Sequence, residues 1–76
     1  MIERVRAWLK ERRRRRLERE ARELAELLQQ ARTYRRYSRF IGSVLDFNRR
    51  RGYVTPKQHA ALRLAVRRAI ATYHGA

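Results

Sequence analysis

The chain has 76 residues, contains no cysteine and carries a formal net charge of +14. This length supports one small domain with a thin core, and the lack of thiols excludes disulfides and cysteine-ligated metals. No apolar run approaches the roughly 20 residues that span a bilayer, and no signal peptide is recognisable. We therefore expect a cytoplasmic protein, either nucleoid-associated or expressed from a virus in the host cytoplasm.

The basic side chains are almost all arginine, since only Lys10 and Lys57 of the 21 are lysine. Arginine binds phosphate in a bidentate manner and stacks on bases, whereas lysine does neither. A GC-rich coding bias or a thermophilic source would also favour arginine over lysine. Neither explains the excess of positive over negative charge, which indicates a polyanionic ligand.

The first predicted element is a long helix from about residue 2 to residue 30, because no breaker interrupts it. Its later apolar positions have heptad spacing: Leu17, Ala21, Leu24, Leu28 and Ala31. Three flanking ion pairs are expected at i,i+4: Glu18–Arg22, Arg19–Glu23 and Arg22–Glu26. This seam predicts packing on the hairpin described below or self-association, with a bend near residues 29–33 where the apolar stripe changes face.

Two further features precede the seam. Ile2, Val5, Trp8 and Leu9 form a separate apolar stripe that indicates helix packing, with membrane-surface binding by residues 2–16 as the alternative. The run Arg12–Arg16 resembles the arginine-rich helices of phage antiterminators and retroviral export proteins, which enter RNA grooves; a solvated tract is the alternative. We predict nucleic-acid contacts by Arg12, Arg13 and Arg16. Predicted partner contacts are Trp8, Leu17, Leu24 and Leu28.

The rest of the chain predicts a helical hairpin. An apolar stripe with a basic back indicates a helix at about 33–51; the stripe is Tyr34, Tyr37, Phe40, Ile41, Val44, Leu45 and Phe47. Gly52 suits a left-handed helix end, and Thr55, Pro56 and Gln58 make a capping box that starts a helix at about 56–73. The fold class is therefore all-α: a long N-terminal helix (1–30) plus an antiparallel two-helix hairpin (31–76, turn at 52–55) in a three-helix arrangement.

Side chains on the hairpin divide into core and surface. The last helix presents an inner stripe of Leu62, Val66, Ala69, Ile70 and Tyr73, whereas Leu64 falls outside. Most aromatic residues lie on apolar stripes, so we expect them in the core. Tyr34 and Tyr53 lie near element ends and are the best candidates for exposed stacking on bases.

Positive charge is concentrated in the hairpin, where residues 31–76 carry eleven basic and one acidic side chain, a net of +10. Arg32, Arg35, Arg36 and Arg39 have the spacing of one helix face, which could follow a phosphate backbone. A solvated face is the alternative. The other predicted nucleic-acid contacts here are Arg50, Lys57, Arg63, Arg67 and Arg68. With few Asn or Gln beside them, phosphate contact is favoured over sequence readout.

Catalytic constellations are missing from the sequence. His59 and His74 lie far apart, and Asp46 is the one acid after Glu26, so paired carboxylates for a metal are lacking there. There is no nucleophile–base pair or glycine-rich phosphate loop. We predict no enzyme activity, cofactor, metal or small-molecule substrate.

One pattern resembles a known type of hairpin: Phe40-x-x-Ser43-Val44, then Gly52-x-Val54-Thr55-Pro56-Lys57-Gln58 and Leu62. Over residues 40–62 it is similar to helix-turn-helix hairpins of uncharacterised phage and mobile-element proteins that handle DNA. The resemblance implies such a setting and no catalytic residue. We therefore expect a small, weakly sequence-specific nucleic-acid-binding protein, an accessory subunit of a phage or mobile-element nucleoprotein complex. The alternative is a phage-encoded adaptor or inhibitor that docks on a host or effector protein through apolar helix faces. The sequence does not distinguish DNA from RNA, or single from double strands, as the ligand.

Overall fold

Three α-helices build the chain in a computed structural model. They are α1 (Ile2–Thr33), α2 (Arg39–Arg51) and α3 (Pro56–Tyr73), with a short 3-10 helix at Arg35–Tyr37 between the first two. The structure describes residues 2–74, so residue 1 and residues 75–76 of the predicted segments lie outside the described residues. This part of the chain contains no strand, and the all-α three-helix prediction is confirmed.

The first two thirds of α1 form a helical arm that the hairpin does not cover. α1 has 32 residues, which correspond to about 48 Å of helix, and the molecule is 54 Å long. Residues 2–23, called the arm below, are exposed apart from the half-buried Glu11. The prediction that the whole Leu17–Leu28 seam packs on the hairpin is therefore wrong. Leu17 is 61 % exposed, because the hairpin covers only the last turns of α1.

The core lies where the end of α1 meets the hairpin. α2 contributes Ile41, Val44 and Leu45, and α3 contributes Leu62, Val66 and Ala69, as their apolar spacing predicts. The remaining buried members are Leu27, Ala31 and Tyr34, and Leu28, Val54, Ala65 and Ile70 pack around them. Such a small core depends on all three helices.

The chain breaks between α1 and α2, so the predicted continuous helix over 33–51 is wrong. Tyr34 is buried and its N–H donates to the carbonyl of Ala31 at 3.1 Å, which ends α1 against the core. Ser38 is extended (φ −152°, ψ 120°), and its Oγ accepts a hydrogen bond from the N–H of Ile41 at 3.3 Å. A serine N-cap therefore begins a new helix. The break lies after residue 33 rather than within residues 29–33.

The turn between α2 and α3 follows the prediction. Gly52 has φ 79°, which a residue with a Cβ adopts only with strain, and its N–H donates to the carbonyl of Asn48 at 2.7 Å. The Gln58 N–H donates to Thr55 Oγ1 at 3.1 Å, and the Thr55 N–H donates to Gln58 Oε1 at 2.9 Å. The capping box and the predicted extent of α3 are confirmed.

Candidate nucleic-acid interface

Four exposed arginines gather where α1 gives way to the hairpin. Arg32, Arg35 and Arg36 line one shallow groove of about 580 Å³ together with Tyr37 and His74. Arg32 and Arg35 also line a neighbouring groove of about 370 Å³, which Arg49 and Asp46 complete. We call Arg32, Arg35, Arg36 and Arg49 the arginine patch. Adjacent guanidinium groups of this kind attract a polyanion.

The patch differs from the predicted helix face. Arg32 belongs to α1, Arg35 and Arg36 to the 3-10 helix, and Arg39 starts α2, so no continuous helix carries these four side chains. The first three still come together because the chain turns at Tyr34. Arg39 instead lies three helical turns before Arg50 on α2. Arg49, which lines the second groove, is not among the nucleic-acid contacts predicted from the sequence. Basic residues in the last turn of a helix also stabilise its dipole, so their position alone does not indicate a ligand.

Asp46 forms an ion pair with Arg35 of the arginine patch. Nη2 of Arg35 lies 2.9 Å from Oδ1 and 3.1 Å from Oδ2 of Asp46, and the aliphatic part of Arg35 lies beside Gly42. The hydrogen bond from Arg35, followed by the charges of Arg35, Arg49 and Arg50, lowers the pKa of Asp46. Within residues 2–74, Arg32, Arg36 and Arg49 form no ion pair.

Acidic side chains on the arm form ion pairs with three of the five arginines in the run Arg12–Arg16. Glu11 lies 2.9 Å from Arg14 and 3.3 Å from Arg15, and the hydrogen bond from Arg14 is the main cause of its lowered pKa. Further contacts at 3.8 Å join Arg14 to Glu18 and Arg16 to Glu20. The predicted pairs Glu18–Arg22, Arg19–Glu23 and Arg22–Glu26 are not ion pairs in the described chain. Of the acids in these predicted pairs, Glu18 contacts Arg14 of the run instead, and such exposed pairs contribute little to stability.

The first two arginines of the run differ from the other three. The guanidinium of Arg12 stacks over Trp8 with its Cζ 5.2 Å from the ring centroid, a cation–π contact on the arm's own surface. Arg13 forms no ion pair in the part of the chain that the structure describes. The predicted contacts Arg12, Arg13 and Arg16 therefore lie on the arm, apart from the arginine patch.

The predicted basic residues of α3 do not share one surface. Arg63 lines a groove against α1 with His59, Glu23 and Glu26, whereas Arg68 lines a groove against α2. Lys57 and Arg67 are exposed, as are Arg39 and Arg50 on α2. Although acids flank His59, residues 2–74 hold no cluster of three His, Asp or Glu that could bind a metal.

Tyr53 is exposed as predicted, whereas four other aromatic residues depart from the predictions. Tyr34 is 7 % exposed, so it cannot stack on a base, whereas Tyr53 is 54 % exposed against Phe47. The predicted core residues Tyr37, Phe40 and Tyr73 are 44 %, 41 % and 50 % exposed. The 3-10 turn and the position of the hairpin leave these three rings at the surface. Their exposure could not be deduced from helical periodicity.

The predicted partner-binding residues separate into two groups. Trp8 and Leu17 are exposed on the arm. Leu24 and Leu28 are half-buried, and Leu28 packs against the core. An incoming protein can therefore reach Trp8 and Leu17, whereas packing against the core already covers part of Leu28.

Known proteins offer no guide to this surface. No protein-family model, curated protein or solved structure matches the chain. Among residues 2–74, no helix combines the length and apolar character needed to cross a membrane. The charge and shape of the exposed side chains are therefore the basis for a functional assignment.

Proposed function

We propose that the chain binds nucleic acid through the arginine patch. One observation carries the proposal: four exposed guanidinium groups gather at one junction, where Asp46, the one carboxylate among the described lining residues, engages a single nitrogen of Arg35. A nucleic-acid backbone supplies closely spaced phosphates, and arginine binds phosphate with charge-assisted, bidentate hydrogen bonds. Binding of nucleic acid would reduce the electrostatic repulsion among the basic side chains of residues 31–76.

Sequence preference is expected to be weak. Reading of base edges relies on Asn, Gln and well-placed Arg. Gln58 is the one amide side chain of α3, and it is held in the capping box by Thr55. Contacts to phosphate therefore dominate. The resemblance of residues 40–62 to phage and mobile-element hairpins favours an accessory subunit of such a nucleoprotein complex.

A salt titration of binding tests this proposal. The logarithm of the affinity for DNA or RNA should fall linearly with the logarithm of salt between about 50 and 200 mM, with a slope of about 0.7–0.9 per phosphate contacted. Vesicles of anionic lipid, titrated in parallel, measure any membrane attraction of the arm. An affinity that does not change with salt concentration, or no binding to DNA or RNA at low salt, would contradict the proposal.

Replacement of the acid at the patch gives a sharper prediction. In Asp46→Asn, Arg35 is released and one opposing charge is lost, so we expect tighter binding and a slope steeper by about one phosphate contact. Lowering the pH acts in the same direction. Because the pKa of Asp46 is lowered, its carboxylate stays ionised and paired through the usual titration range of an aspartate, and it releases Arg35 only as the pH falls through the lowered value.

Glu11→Gln is the matched control for this substitution. It makes the same change in net charge at another carboxyl with a lowered pKa, one that pairs with Arg14 and Arg15 on the arm. We expect little change in slope. If both variants steepened the slope equally, net charge rather than the patch would govern binding.

A second candidate function is docking on a protein, as an adaptor or inhibitor. The observation that favours it is the stripe of Ile2, Val5, Trp8 and Leu9, whose side chains are between 41 % and 69 % exposed. Amphipathic helices commonly lay such a stripe into an apolar groove. In that case, affinity for the partner should be insensitive to salt and should be lost in Trp8→Ala.

A further inference from the structure

An open apolar groove adjoins the arginine patch. It lies between the start of α2 and the later turns of α3 and has a volume of about 540 Å³. Tyr37 lines both this groove and the groove of Arg32, Arg35 and Arg36, so the two surfaces are continuous. We call the following lining residues the aromatic groove: Tyr37, Phe40, Leu64, Arg68 and Tyr73.

The aromatic groove is already organised to receive a flat ligand. The rings of Tyr37 and Tyr73 stack with centroids 4.0 Å apart and an interplanar angle of 21°, which restrains both side chains. Thr72 Oγ1 donates to the carbonyl of Arg68 at 2.8 Å. Arg68 lines the groove among these apolar groups. Four large apolar side chains and one planar cation therefore face a common space.

We propose that the aromatic groove takes the bases of a single-stranded nucleic acid whose phosphates lie on the arginine patch. This inference rests on the proposed function and narrows its ligand to an unpaired strand. Bases stack on aromatic rings and on guanidinium planes. In a duplex the faces of the bases are already covered by neighbouring bases, so they cannot stack on the side chains of the aromatic groove.

Charge favours this occupant over an apolar protein segment. A single strand carries phosphates and base faces in alternation, and the molecule places guanidinium groups and aromatic rings side by side through Tyr37. A second copy of the chain would bring another net charge of +14 to the same surface. The two copies would therefore repel each other electrostatically.

The test compares single-residue variants on a strand of about 15 thymidines or uridines. Tyr37→Leu and Tyr73→Leu keep an apolar side chain but remove the ring. Each should weaken binding about fivefold or more, with the salt slope unchanged because no phosphate contact is removed. Tyr53→Leu is the comparison: this ring is 54 % exposed but lies outside the groove, so a loss of affinity confined to this variant would assign base stacking to the turn before α3 and overturn the inference.

A strand of equal length without bases separates stacking from charge. The wild type should bind it more weakly than the normal strand, and Tyr37→Leu should bind it as the wild type does. Full affinity for the normal strand in both groove variants would overturn the inference, leave the proposed function standing and open the groove to a protein partner. Failure of these single strands to bind while a duplex binds in a salt-dependent manner would overturn the inference alone, and failure of the duplex as well would overturn both.

Photo-cross-linking of the unsubstituted protein avoids any effect of mutation on folding. A strand containing 5-iodouracil should cross-link to Tyr37, Phe40 or Tyr73. Cross-links confined to Trp8 or Tyr53 would overturn the inference while confirming that nucleic acid binds.

Discussion

Replacing Arg32, Arg36 and Arg49 together with glutamine is expected to lower affinity for nucleic acid by on the order of ten- to a hundredfold at low salt. The salt slope should also flatten by about two to three phosphate contacts. These three side chains are exposed at one junction and form no ion pair within residues 2–74. Their charge is therefore available to phosphate, and their removal leaves Arg35 held by Asp46.

The matched control replaces Arg4, Arg6 and Arg19 with glutamine. These residues are exposed on the arm and likewise form no ion pair in the described chain. Both triple variants lose three positive charges, so an effect of net charge alone would be equal in the two. An equal loss of affinity in the control would contradict a localised patch, and circular dichroism would confirm that both variants fold.

Substitution of Leu62 by alanine is expected to unfold much of the hairpin. Leu62 is 0 % exposed at the centre of the core, and removal of a buried leucine costs about 2–5 kcal/mol. A domain of this size has about 3–5 kcal/mol of stability in total. Urea unfolding followed by circular dichroism should therefore show a large loss of stability, and α1 should lose support for its last turns.

Leu64→Ala provides the comparison two residues further along the same helix. Leu64 is 52 % exposed, and alanine is the better helix former, so stability should change by less than about 0.5 kcal/mol. If the two variants were equally destabilised, the assignment of the inner and outer faces of α3 would be wrong.

Local capping chemistry is what could be predicted well from the sequence. Gly52, Thr55, Pro56 and Gln58 interact with neighbours only a few residues away, so their types suffice to place a helix end and a helix start. The break at Ser38 escaped detection. Its capping hydrogen bond comes from Ile41, where a capping box would have Glu or Gln, and apolar spacing continues across the break.

The candidate site was harder to predict because it depends on tertiary packing. The arginine patch contains three predicted residues, but Arg49 joins them from another helix. The exposure of Tyr37 and Tyr73, and the burial of Tyr34, depend on where the hairpin meets α1. Periodicity within one element cannot report contacts between elements.

The continuity of α1 has a consequence for how two ligands could be held at once. The same helix carries the apolar stripe near its start and Arg32 in its last turn. With 1.5 Å of rise per residue, Val5 and Arg32 are separated by about 40 Å. A continuous helix would therefore hold the two sites apart. A protein bound to the apolar stripe and a strand bound to the arginine patch would be held about that distance apart. The positions of the two sites around the helix axis would set the angle between the ligands.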